Sequence, residues 1–367
     1  MQSMSNKSSG QHGYYSFSRS VFISAEKKAH IFHSDPHSGM IAVSKKLEDS
    51  PNQHGVLKIS SIEGSHHEFV CLHLNQIRDI AFDPHGNSTL LSCSRNKDIK
   101  LTSLKSNNTV ITYQAQKDCW SCSWSQGNVF NLFCGLQNGE ILLFDIRNTR
   151  EVVESICPTV ASQKCPVISI VSIPSPGDSG TEGLLVSTLQ CISFYEKDSD
   201  GQYTGNQLET PSGALSMVSY EPDYSQILAS YKPGIKNPRE RHVLMNFKTN
   251  ADDKATAEVI TTFEGGSAQH LRSRSCLIKC PDDDNHLLVC AGDQSNNSVK
   301  IWSTQTMKQQ QSWLCQKEDG PIIAMGPHRA AGIQYLCTLT NQRLGQYKWN
   351  FSKSYYEQSN NVITPQQ

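Results

Sequence analysis

A strand pattern that returns about every 40 residues dictates what this chain can fold into. The runs Ile77–Phe82, Thr89–Ser94, Asp98–Leu104 and Val110–Gln114 are short, rich in β-branched and apolar residues, and closed by Asn, Gly, Lys or Asp. The same four-beat unit restarts at Cys119–Trp124, Val129–Leu136, Glu140–Ile146 and Val152–Ile156. Four strands per unit make one twisted blade. A blade alone cannot bury both of its faces, whereas blades packed side by side in a ring can. The expectation is an all-β propeller.

Counting units gives seven, the period being that of a WD repeat. The first runs from about Lys28 to His73, and the fourth starts at Val167–Ile173 with a poorly marked outer strand near Gly201–Glu209. The last unit, Pro321–Gly326, Ile333–Thr340 and Leu344–Trp349, lacks a fourth strand, while Tyr15–Ser24 (YSFSRSVFIS) is a spare one ahead of the first blade. We therefore expect a seven-bladed WD-repeat β-propeller whose N-terminal strand closes the last blade, hiding an edge that would otherwise pair with other chains. On this reading residues 1–14 form a disordered lead-in, 15–350 the propeller and 351–367 a polar tail. The WD signature itself is degenerate. His73 holds the Gly-His spacing before Ile77, Asn96 and Asn138 take turn-Asp positions, Phe144-Asp145 and Trp302-Ser303 replace Trp-Asp, and Thr102-Ser103 does so in the second blade.

With 33 basic and 34 acidic residues the net charge is −1, so no global field draws the chain to nucleic acid or anionic membrane. No apolar run approaches the ~20 residues that span a bilayer. The thirteen cysteines have no paired spacing and mostly fall inside strands, the pattern of a reducing, cytosolic or nuclear compartment. Cys119 and Cys122 lie three apart on one strand, so regular alternation sends them to opposite faces and denies them a shared zinc. No phosphate loop, nucleophile elbow or HExxH motif is present, and neither catalytic residues, metal nor cofactor are expected.

Candidate recognition residues follow from loops. Pro174–Glu182 and Lys232–Arg241 are long Pro/Gly-rich insertions, and long loops on a rigid scaffold are where binding residues concentrate. Lys232, Lys236, Arg239 and Arg241, with Tyr231 nearby, make a basic, aromatic segment suited to an acidic peptide or single-stranded nucleic acid, or else an ordinary solvated loop. Leu215 is placed in an inner strand on one face with Met217 and Ser219, either packed against a neighbouring blade or exposed in a binding surface. His73 is read as a structural bond within its blade, and Asp282–Asp284 as a solvated turn.

NQIRDIAF (75–82), IKLTSLKSNNTVITYQA (99–115), CWSCSW (119–124), GLQNGEILLFDIRNT (135–149), LLVCAGDQSNNS (287–298) and YLCTLTNQRLGQYKW (335–349) together resemble the WD-repeat domain of the RING-finger and WD-repeat ubiquitin ligases. IKLTSL is the most specific, because it shares the Thr-Ser departure from Trp-Asp. The similarity runs from about Tyr15 to Trp349 and is weakest in the fourth blade. It implies the recognition half of a ligase without the RING and coiled coil of that family. It further implies nuclear action, with some cytoplasmic presence open, in DNA-damage and interstrand cross-link repair, with replication protein A and ubiquitination substrates as partners. Direct nucleic-acid contact stays open. The competing readings are a scaffold from an unrelated WD-repeat assembly and, more remotely, a propeller enzyme.

Overall fold

In a computed structural model, residues 13–351 are described except 49, 51, 61–66, 159–163, 174–182, 198–201 and 251–252. The lead-in to residue 12, the insertion 174–182 and the tail from 352 lie outside the described residues. The strand Tyr14–Phe22 (β1) comes first. Blade 1 holds β2 (Phe32–Ser34), β3 (Met40–Lys46), β4 (His54–Ser60) and β5 (His67–His73), and blade 2 holds β6 (Ile77–Phe82), β7 (Thr89–Ser94), β8 (Asp98–Ser103) and β9 (Asn108–Gln114). Blade 3 is β10 (Cys119–Trp124), β11 (Asn131–Leu136), β12 (Ile141–Asp145) and β13 (Glu154–Ile156). Blade 4 is β14 (Val167–Ile173), β15 (Gly183–Thr188), β16 (Ile192–Lys197) and β17 (Tyr203–Gln207). Blade 5 is β18 (Leu215–Glu221), β19 (Gln226–Tyr231), β20 (Arg241–Asn250) and β21 (Asp253–Glu264). Blade 6 is β22 (Cys276–Lys279), β23 (Leu287–Asp293), β24 (Ser298–Ser303) and β25 (Lys308–Leu314). Blade 7 is β26 (Ile322–Ala330), β27 (Ile333–Thr340) and β28 (Arg343–Asn350), completed on its outer edge by β1.

The ring is visible in the packing. Among the described residues seven clusters of buried apolar side chains form, and each joins two neighbouring blades, including the seventh to the first through Val21, Ile23, Phe32, Ile41, Ile323 and Leu339. Closure of the ring by β1 is as expected. It pairs antiparallel with β28 from Tyr14↔Asn350 to Phe22↔Arg343. Blade 6 holds it there. Gln311 accepts the Tyr15 N–H at 2.9 Å and donates to the Tyr15 carbonyl at 2.6 Å, which blunts the outer edge of the last blade. Asp282 accepts from the Gly13 N–H at 2.7 Å and from Trp349 Nε1 at 2.8 Å. The acidic run is thus partly a fastener of the closing strand rather than a solvated turn. Asp283 shapes the turn itself, accepting from the Asn285 N–H.

Two expectations about side-chain direction fail for one reason. A β-bulge between Cys119 and Ser121, and another between Leu215 and Met217, inserts an extra residue and shifts the alternation. Cys119 and Cys122 therefore share one interface with Cys93 and Cys134 instead of facing apart. Burial, then the neighbouring Cys93, pushes the Cys122 thiol well up. Leu215 joins Val218, not Met217, in the core between blades 4 and 5. His73 is buried and structural, but its bond crosses between blades rather than staying within its own: its Nε2 lies 2.8 Å from Ser92 Oγ of blade 2.

Removing residues 1–24 is expected to open the ring, giving aggregation or a large fall in melting temperature by calorimetry; a monomeric, equally stable product would contradict this closure. Leu215→Lys should cost several kcal/mol, because an unpaired ammonium would occupy a fully buried site. Urea unfolding reads that loss directly.

Candidate interaction site at the channel mouth

The bulges recur on the first strands of blades 2, 3, 4, 5 and 7 and leave Arg78, Trp120, Ile168, Ser216 and Ile323 as the extra residues. An extra residue has no ladder partner for its carbonyl, and a buried carbonyl needs a donor. The segment leading into blade 6 supplies it. Arg272 donates from Nε to the Ser216 carbonyl at 2.8 Å and from Nη2 to the Ile168 carbonyl at 2.6 Å. Arg274 donates to the Arg78 carbonyl at 3.4 Å, and its own backbone N–H reaches the Ile323 carbonyl at 3.0 Å. Arg274 Nη1 also pairs with Asp79 Oδ1 at 2.9 Å, a largely buried ion pair. Asp79 is consumed further by the N–H groups of Ile80 and Cys122. Blades 2, 4, 5 and 7 are thereby tied together across the axis by two residues, Arg272 and Arg274.

Around this plug lies a cationic mouth. Arg78 stacks over the Trp120 ring at 4.6 Å. Arg95, Gln137 and Lys232 hold equivalent places on the rim, each following the second strand of its blade and giving its N–H to the loop before the first. Burial, then Arg274, pushes the Arg272 guanidinium down to about 9, and burial, then Arg95, pushes Arg78 down. Lys232 is pushed down by burial and then by Arg272. Glu240, fully buried beside Ser273, is raised to about 7 mainly by burial. Its Oε2 and the Nε2 of buried His242 have no partner, and both face the bare α-carbon of Gly265.

The basic segment read from sequence splits among several roles. Lys232 belongs to the mouth. Lys236 lines a cleft of about 310 Å³ with Gly213 and the fully exposed Ile235. Arg239 faces Glu264 at 3.7 Å, and Arg241 is spent on the Ser212 carbonyl at 2.7 Å and the Tyr231 ring at 5.1 Å. Tyr231 and Leu215 are both fully buried, so neither presents a surface to a partner. Sequence reading missed Arg78, Arg95, Trp120 and Arg272. The available signal was a pair of arginines two apart just before an inner strand, with an Arg-Asp pair, Arg78 and Asp79, inside another inner strand, Ile77–Phe82. At the opposite end of the channel a cavity of about 380 Å³ contains Ser34 and His328, whose Oγ and Nδ1 are 2.7 Å apart. Burial pushes His328 down to about 4 and no carboxylate bonds its other nitrogen, so this pair lacks the orienting acid of a nucleophilic triad. Among the described residues no three His, Cys, Asp or Glu side chains are placed to hold a metal ion, and no helix is long and apolar enough to cross a membrane.

Comparison with known proteins places this geometry. Residues 15–348 match the family described as the E3 ubiquitin-protein ligase RFWD3 WD40 domain. The E3 ubiquitin-protein ligase RFWD3 of Homo sapiens is 30% identical over 301 residues, which cover 80% of this chain and 38% of the relative. That of Mus musculus is 29% identical over 351 residues, 93% of this chain and 45% of the relative. The chain thus spans less than half the length of these curated relatives. The β-propeller domain of Myceliophteria thermophila Cps50 (Swd1) superposes with a TM-score of 0.67 at 13% identity, covering 91% of this chain and 99% of that one, a likeness of fold alone.

Asp79→Ala should lower stability by about 3–5 kcal/mol, since it strands the Arg274 guanidinium and the Cys122 N–H; a change below about 1 kcal/mol in urea would show the pair to be dispensable. Glu240 carries a pH signature. Its folded value of about 7 exceeds the ordinary 4.5, so its neutral form is favoured by folding. Stability is then full below about 4.5 and is lost as pH rises to about 7, an effect of roughly 3 kcal/mol. Glu240→Gln should therefore gain melting temperature over the parent between about pH 5 and pH 8. A constant difference would contradict the raised value.

Proposed function

This chain belongs to the family of E3 ubiquitin-protein ligase RFWD3 WD40 domains, and on that premise we propose that it is the partner- and substrate-recognition propeller of a RING-type ubiquitin ligase. Within the cell the ligase acts in the nucleus, in the DNA-damage response and interstrand cross-link repair, and the propeller binds replication protein A on single-stranded DNA. The observation that carries the reading is the extent of the family match, which runs from the closing strand β1 to within β28 and so takes in the whole ring. A rigid ring with a charged axial mouth and, among the described residues, no assembled catalytic triad suits recognition better than chemistry. Ubiquitin transfer belongs, on this reading, to a RING outside these residues. The competing scaffold reading predicts no affinity for replication protein A.

Immobilised chain should capture purified replication protein A saturably in a biosensor assay, and should synthesise no ubiquitin chains alone in a reconstituted reaction. Failure to capture replication protein A would remove that partner from the reading. Ubiquitin chains made by the isolated propeller would overturn the division of roles.

A further inference from the structure

Cations at the mouth outnumber the acids free to answer them. Arg78 is half-buried, with its Nε enclosed and without a partner, and Arg95 is exposed on the rim. Lys232 is half-buried. Arg272 lies beneath, within electrostatic reach of both Arg78 and Lys232, and its donors go to carbonyls, which carry no net charge. Of the nearby carboxyls, Asp79 is spent on Arg274, Glu240 is pushed up to about 7 by burial, and Asp118 acts on Arg78 as a nearby charge without forming an ion pair. None of Arg78, Arg95, Lys232 or Arg272 has a carboxylate within ion-pair distance among the described residues. Arg95 disfavours the charge on Arg78, Arg78 that on Arg272 and Arg272 that on Lys232, so a bound anion would relieve a standing repulsion.

We propose that this mouth receives one phosphorylated side chain of a protein partner, with Arg78 and Arg95 on one side of the axis, Lys232 on the other and Arg272 supplying positive field from below. A phosphate suits the site better than a carboxylate because its three oxygens and near-double charge can engage several donors at once. A peptide suits it better than a nucleic acid. The cationic groups surround one axial opening rather than line a groove, Trp120 is already covered by Arg78, and the chain as a whole is not basic. The inference rests on the recognition role proposed above but does not require replication protein A to be the phosphorylated partner.

The test uses the full chain and two labelled degenerate peptide libraries, differing only in a central phosphoserine or serine, read by fluorescence anisotropy. The phosphoserine library should bind, the serine library should not, and inorganic phosphate should compete. Arg95→Glu, on the exposed rim, and Arg78→Ala should each weaken binding by at least ~10-fold. The exposed outer-rim change Lys308→Glu should leave binding intact. Melting temperatures measured alongside identify any variant that misfolds, and Arg95→Glu, whose parent side chain makes no hydrogen bond or ion pair among the described residues, then decides. Equal binding of the two libraries would overturn the proposal. So would full binding by folded Arg95→Glu, or failure of inorganic phosphate to compete with the phosphoserine library. A chain that captures replication protein A yet ignores phosphopeptides defeats this inference and leaves the ligase reading standing.

Discussion

The ring depends on how its axis is filled. Five inner strands carry an extra residue near their start, and each bulge frees a carbonyl that the sheet no longer satisfies. Arg272 and Arg274 answer four of these sites with two guanidiniums and one backbone pairing. A neutral side chain could not do this. A guanidinium offers five donors in a fixed plane and stays charged when half-starved of water, which suits it to carbonyls converging from several directions. Asp79 then balances one of the two charges and leaves the other to the carbonyl dipoles. Part of the surplus positive charge at the mouth follows from the structural solution: Arg272, which ties two blades together through their carbonyls, keeps a charge that no carboxylate pairs among the described residues.

Much of the architecture was legible because it is local and periodic. Strand starts such as Ile77, Cys119, Val167 and Thr89 coincide with the alternating pattern, and even the weakly marked fourth blade forms its outer strand at Tyr203–Gln207, inside the expected interval. The closing strand was legible from a deficit at one end and a surplus at the other. The bulges were not legible, since an inserted residue leaves no compositional trace. One unseen bulge reversed the reading of Cys122, and another exchanged Met217 for Val218 beside Leu215.

The site was legible only where it is a loop. Lys232 was found because it heads a basic insertion, yet Arg239 and Arg241 from the same run are spent on Glu264 and Ser212. Arg274 and Asp79 lie 195 positions apart, and nothing in either neighbourhood announces the other. The net charge of −1 would by itself argue against any anion-seeking surface. The placement of Arg78, Arg95, Lys232 and Arg272 around one opening shows why a whole-chain sum is a poor guide to a local field.

Sealing the ring with β1 also sets an order of events during synthesis. Tyr14 cannot meet Asn350 until nearly the whole propeller has left the ribosome, so the first blade must wait with one apolar face, including Phe32, Ile41 and Ile59, uncovered. At a typical elongation rate of about 5–20 residues per second that wait lasts on the order of tens of seconds. The six earlier interfaces can form as each blade emerges, but the last is a contact of extreme sequence separation whose entropic cost falls due at the end. The nascent chain thus spends that interval as an open arc with two unsatisfied ends, the form in which it is most exposed to chaperones and to its own neighbours.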